Sequence, residues 1–172
     1  FSDSASFDFD HFGDVAEKAQ RLMDDLIDLE IEKIETIINK IHDDPEPGSV
    51  KNIELLKCEK LLANCKSGRR TGCGITGLGD ALAGLGIRYG SDESIRVTKD
   101  IYKTLATRAY RSSCRMAGER GAFPMFDRKL EDGHPFIERV VGADPVTKEL
   151  YEKNGRRNIA LTTTPPAGSK SI

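Results

Sequence analysis

The chain has 172 residues, 38% hydrophobic and 31% charged, with a formal net charge of −2 and no tryptophan. That length suffices for one domain with a real core, while the near-neutral charge gives no general pull toward nucleic acid and the few aromatics leave no stacking platform for single strands. No apolar run approaches the ~18 residues of a membrane span, and the first residues do not read as a signal segment. Charge is uneven, since residues 1–46 hold 14 acidic and 4 basic side chains. This reads as an acidic solvated helix face followed by a mildly basic remainder, or, more sharply, as a basic cleft for a phosphorylated ligand.

Residues 9–42 predict a long amphipathic helix. Phe12, Val15, Ala16, Ala19, Leu22, Met23, Leu26, Ile27, Ile31, Ile34, Ile37, Ile38 and Ile41 follow i, i+3, i+4, i+7 steps. Asp8 or Asp10 can cap its start. A kink is expected near Asp28–Glu30, and Pro45-Glu46-Pro47-Gly48 stops the helix. Ser49 is a candidate cap for a second helix to about Asn64, with Val50, Ile53, Leu56, Leu61 and Leu62 facing inward. Thr71–Ile75 reads as a short strand laced with glycine. Leu78–Leu85 reads as a short helix, with Gly86 as a left-handed cap behind it. Ser91, followed by Asp92 and Glu93, starts a third long helix to about Glu119, with Ile95, Ile101, Tyr102, Leu105, Ala109 and Met116 as its stripe. Short helices are expected at His134–Val141 and Val146–Asn154, and a buried strand at Asn158–Thr163.

Strands near 71–75 and 158–163, separated by helices, suggest a piece of a larger α/β fold. The chain reads as a single partial domain, 1–172, with both ends cut. It opens on Phe1 and closes in Pro165-Pro166-Ala167-Gly168-Ser169-Lys170-Ser171-Ile172, a loop about to enter a helix.

The run Gly72-Cys73-Gly74-Ile75-Thr76-Gly77 matches G-x-G-x-x-G. A dinucleotide fingerprint needs a hydrophobic strand before it and an acid ~20 residues on, at a strand end. Lys66–Thr71 is not such a strand, and Asp92 and Glu93 stand at a helix start. Glycine inside a strand more often marks close backbone approach. Gly72, Gly74 and Gly77 would let the chain lie against bulky neighbours, and Gly77 with Gly79 would let a helix begin close to the strand.

Read with their flanks, these glycines carry a resemblance. Gly68-Arg69-Arg70-Thr71-Gly72-Cys73-Gly74-Ile75-Thr76-Gly77-Leu78-Gly79-Asp80 runs on to Leu85-Gly86-Ile87-Arg88-Tyr89-Gly90-Ser91. Glu119–Asp127 follows, then Gly155-Arg156-Arg157-Asn158-Ile159-Ala160-Leu161-Thr162-Thr163, and Ala19–Asp28 fits ahead of them. In this order and spacing the blocks resemble the catalytic chain of ribonucleotide reductases, over nearly the whole length. The Arg-Arg-Thr-Gly wording and the Asp44-Pro45-Glu46-Pro47 insert are most similar to the adenosylcobalamin-dependent class, with the iron-dependent class as runner-up.

The resemblance implies an α/β fold: a mostly helical piece of a ten-stranded α/β barrel. It implies a parent enzyme that reduces ribonucleotides to deoxyribonucleotides by thiyl-radical chemistry. Adenosylcobalamin would be held by the parent mostly outside this segment, with none expected bound to the piece itself. The radical cysteine of the family lies in Asn-x-Cys-x-Glu. Here Cys58, Cys65, Cys73 and Cys114 have Leu56, Ala63, Thr71 and Ser112 two residues before them, so no catalytic residue is expected in this segment. By the same resemblance, Pro166, Ala167, Gly168, Ser169 and Ser171 match the substrate-phosphate loop. Free amides at a helix start and added hydroxyls suit phosphate. Ala167 replaces a common hydroxyl residue, and Lys170 an apolar one. Arg156 and Arg157 read as ion-pairing or packing residues, and Cys73 as a small core side chain.

No C-x-x-C occurs, and His11, His42 and His134 have no partner spacing for a metal or a triad. Reduced thiols suit a cytoplasmic protein. The expected partners are a ribonucleotide and the remainder of the reductase chain, with no nucleic acid and no membrane. The rival reading is a stand-alone, non-catalytic helical interaction or phosphate-binding module. Diphosphate versus triphosphate substrate stays open, as does self-association of an excised piece through its apolar edges.

Overall fold

The computed structural model describes residues 5–164. Helix α1 runs unbroken over Phe9–Asp43, about 52 Å at 1.5 Å per residue. The Asp8 carboxylate caps it, accepting the His11 amide at 2.9 Å. No break occurs at Asp28–Glu30, where the sequence suggested a kink. Asp28 accepts a hydrogen bond from Arg69 instead. Helix α2 spans Gly48–Gly68 and has Pro47, not Ser49, at its N-cap, with no side-chain cap.

After the short α3, Leu78–Gly84, comes α4, Asp92–Arg120, the central element. Ser91 caps it by accepting the Ser94 amide at 3.2 Å, and Asp92 and Glu93 complement the helix dipole in the first turn. Helices α5, Arg128–Glu131, α6, Pro135–Val141, and α7, Pro145–Asn154, complete the described fold. Helix α4 packs on α1, α7 and α6, while α2 packs on α1. Its inner side makes two clusters. Ala109, Tyr110 and Cys114 meet Ile137, Val140, Val141 and Leu161. Leu105 meets Ala16 and Cys73 on the other side.

The expected α/β barrel fragment is not seen. Among the described residues there is no strand, no sheet and no barrel, only one parallel bridge between Cys73 and Thr162. The extended segments 71–73 and 159–163 do run side by side. The Thr71 amide donates to Ala160 O at 2.9 Å, Cys73 to Leu161 O at 2.7 Å, and Thr163 to Cys73 O at 3.0 Å. Two short segments with no third neighbour cannot build a sheet, so the pairing stops at one bridge.

Two helix faces also depart from expectation. On α2, Val50, Ile53, Leu56 and Leu61 are exposed, whereas Leu55, Cys58, Leu62 and Cys65 form the half-buried side. On α4, Ile95 is exposed and Tyr102 lies at the surface. No described helix is long and apolar enough to cross a membrane.

Candidate functional site

Of the predicted site, Pro166, Ala167, Gly168, Ser169 and Ser171 lie outside the described residues. What the structure does describe is the segment that leads to them and the groups that hold it.

That segment, Gly155–Thr164, passes over a buried polar node. Asp24, Gln20 and Asn158 are all 0% exposed. Gln20 and Asp24 sit one turn apart on the face of α1 that also buries Ala16 and Ile27. The Asp24 carboxylate accepts from Arg69 Nε at 2.8 Å and from Asn158 Nδ2 at 2.7 Å. Arg157 Nε and Arg120 each stand 3.4 Å from its other oxygen. Burial by itself would raise the Asp24 pKa. Hydrogen bonds from Arg69 and Asn158, with the charges of Arg69 and Arg157, outweigh it and hold the carboxyl below its ordinary value.

Asn158 uses both ends of its amide. Its Nδ2 also donates to Arg69 O at 3.1 Å, and its Oδ1 accepts from Ser113 Oγ at 2.8 Å and Gln20 Nε2 at 3.2 Å. Ser113 Oγ in turn accepts the amides of Arg157 and Asn158 at 3.0 and 3.1 Å. Thr71 closes the ring. It accepts from Gln20 Nε2 at 3.0 Å and donates to Ala160 O at 2.8 Å. No buried side-chain nitrogen or oxygen among the described residues lacks a partner. Such a network is rigid because every alternative leaves a polar group unpaired in low dielectric.

Arg69 is the one non-glycine residue at positive φ among the described residues (φ 45°, ψ 57°), as the C-cap of α2. A left-handed conformation costs an ordinary residue about 1–2 kcal/mol. The ion pairs to Asp24 and to Asp28, at 2.7 Å, hold it there. Gly72 permits the next contact, since a Cβ at that position would stand 2.9 Å from Thr163 Cγ2. Gly77, at φ 76°, starts α3, but Gly79 has open space around it and serves no close approach.

Arg156 and Arg157 are committed to the scaffold. Arg156 is buried, donates to Asn158 O at 2.6 Å and Ile159 O at 2.7 Å, and forms a fork with Glu131. Arg157 donates to Arg120 O and Gly121 O at 3.0 and 3.1 Å. Cys73 and Cys114 are buried, and burial pushes the Cys114 thiol up to about 12. Such a thiol is inert as a nucleophile. All three histidines are exposed.

Beside Thr162–Thr164 lies a groove of about 810 Å³ between α4 and α6. Lys99, Lys103 and Arg139 contribute cations to its lining, Glu138 one anion, and Leu105, Ala106 and Val140 its apolar part. Arg139 stacks over Phe136 at 5.6 Å. This lining suits an anion with an apolar or planar body.

The polar node was not anticipated from the sequence. Its available signal was Gln20 and Asp24 lying on an apolar stripe, where a polar side chain must find a buried partner.

The family model described as ribonucleotide reductase, barrel domain, matches residues 1–172. The chain is 28% identical over 166 residues to a vitamin B12-dependent ribonucleoside-diphosphate reductase of Mycobacterium tuberculosis, covering 96% of this chain and 18% of that protein. The corresponding protein of a second strain gives 28% over the same length, covering 17% of the relative. A ribonucleoside-diphosphate reductase large subunit of Arabidopsis thaliana is 30% identical over 110 residues, covering 60% of this chain and 14% of the relative. The chain therefore spans less than a fifth of the length of the curated relatives it matches.

Proposed function

The chain belongs to the ribonucleotide reductase barrel-domain family, and from that membership we propose that it forms part of the catalytic chain of a cytoplasmic enzyme reducing ribonucleotides to deoxyribonucleotides. In this reading the segment supplies scaffold and the substrate-phosphate loop Pro166, Ala167, Gly168, Ser169 and Ser171. The radical cysteine belongs to another part of the parent. Two observations support that division. Cys73 and Cys114 are buried in the core, and Cys58 and Cys65 lie on α2, which packs on α1. The phosphate role rests on the resemblance of residues 166–171 to the family's loop, and the described structure supplies the approach to it. Thr163, tied to Cys73 O, stands three residues before Pro166, at the end of a segment fixed by the Asp24–Asn158 node.

The adenosylcobalamin-dependent class is the reading we favour, because the relatives matched over 96% of this chain carry that cofactor in their names. The described residues do not fit a corrin. The exposed histidines stand on the ends of α1 and at the start of α6, and the groove beside Thr162 presents lysines, an arginine and threonines suited to an anion. The cofactor contacts are therefore assigned to the rest of the parent.

The test is a substitution in the full-length reductase. Ser169→Ala removes a hydroxyl donor to phosphate and is expected to raise the KM for the ribonucleotide about tenfold, with kcat little changed, as befits a lost hydrogen bond to a charged group. An unchanged KM would overturn the phosphate assignment.

A further inference from the structure

We propose that Asp24 and Asn158 are positioning residues for substrate, fixing the register between segments 69–73 and 157–163 and so the point from which the chain enters the phosphate loop. The proposal rests on the phosphate-loop reading of residues 166–171.

The argument begins with cost. A buried carboxylate needs strong compensation, and a hydrophobic core would be as stable or more so. Asp24 nevertheless sits at 0% exposure in the middle of α1, with three arginines from three different segments directed at it. The node joins residues 134 positions apart in the chain, α1 at Asp24 and the approach segment at Asn158. It also joins two parts of the backbone that run side by side. Beyond the node, the amides of Thr71, Cys73, Ile159 and Thr163 pair these stretches, and Gly68 and Gly72 stand close to Ile159 and Thr163.

A single bridge tolerates slippage far better than a ladder does, and register is weakly specified in short glycine-bearing segments. Here the side chains of the node reinforce the register that four backbone hydrogen bonds set. Asn158 Nδ2 reaches Arg69 O at 3.1 Å and Asp24 Oδ1 at 2.7 Å together, which only one alignment of the two segments allows. Arg69, held at positive φ, ends α2 and begins the partner segment. A shift at Asn158 would carry through five residues of extended chain to Thr163. A displaced binding group loses contacts made equally to the bound substrate and to its transition state, which raises KM and leaves kcat little changed.

Asn158 is the informative position. Asn158→Asp keeps the shape but removes both Nδ2 donors and sets a second carboxylate against Asp24. In the full-length reductase this variant is expected to raise the KM for the ribonucleotide at least about tenfold, with kcat at saturation within about threefold of wild type. Ser113→Ala, which loosens Asn158 by removing one partner, serves where Asn158→Asp fails to fold. Its KM is expected to rise about threefold. A KM at the wild-type value in both variants, or in the single folded one, overturns the proposal, and so does a fall in kcat with KM unchanged. Melting temperature is followed alongside, since a purely structural role lowers it without moving KM. The Ser169→Ala variant separates the two ideas. If it leaves KM unchanged while Asn158→Asp raises it, the phosphate assignment fails and the node's effect on substrate binding stands.

Discussion

Asp24 anchors the buried polar node, with Arg69, Asn158, Arg120 and Arg157 converging on its carboxylate. It is fully buried, and its main partner Arg69 is nearly so. Removing one member of a buried pair leaves the other charge uncompensated, at a cost of about 3–5 kcal/mol. Asp24→Asn keeps the shape, and Asp28 still reaches Arg69 at 2.7 Å, so the lower end of that range is expected. The pH dependence follows from the direction of the shift. The folded-state pKa of Asp24 lies below its ordinary value, so the unfolded chain takes up the proton first as pH falls. The carboxylate's contribution is fully present above the unfolded value of about 3.9 and is lost as pH drops through the folded one. Urea unfolding at pH 7 and stepwise down to pH 3 should show wild type losing stability faster than Asp24→Asn, with the gap narrowing. A gap that stays constant over that range would mean the ion pair does not set the difference.

Among the elements, the approach of segment 71–73 to segment 159–163 depends on Gly72. An alanine there would place Cβ 2.9 Å from Thr163 Cγ2 and 3.2 Å from Thr163 Cβ. The branched threonine cannot swing clear as a long side chain would, so the segments must part. Overpacking costs about 1–3 kcal/mol, against which alanine recovers about 0.4–1 kcal/mol of unfolded-state entropy. Gly72→Ala should therefore destabilise by about 1–2 kcal/mol in chemical denaturation, and an equal or higher midpoint would refute the close-approach role. This scale also shows what the sequence could reveal. Helices α1 and α4 were legible to within a residue or two because their apolar periodicity is long and their caps, Asp8 and Ser91, are local signals. The inward face of α2 was not, because apolar residues lie on more than one side and only contact with α1 selects Leu55, Leu62 and their neighbours. Strand character at 71–75 and 158–163 was overestimated, since propensity is local and a sheet needs neighbours. The Asp24–Asn158 contact was invisible for a related reason: its two halves are 134 residues apart.

For the molecule as a whole, the decisive feature is how much apolar surface the described fold leaves uncovered. On α1, Leu22 and Leu29 are 61% and 58% exposed, and on α2, Ile53 and Leu56 are 60% and 67% exposed. Single exposed leucines are ordinary, but several along two paired helices make a surface that water disfavours. Among the described helices α2 packs chiefly on α1, and Val50, Ile53, Leu56 and Leu61 on its outer side are exposed. Each such side chain is worth about 1.5–3 kcal/mol when fully buried, which favours association once two copies meet. The 172-residue chain on its own is therefore expected to self-associate with rising concentration in size-exclusion chromatography with light scattering. Ile53→Glu with Leu56→Glu should shift it toward monomer at little cost in stability, since neither side chain is packed in the core, and surface changes stay within about 0.5 kcal/mol. Monomer at every concentration would show that charges such as Glu54, Lys57 and Lys60, interleaved along α2, already suffice to keep the surface apart.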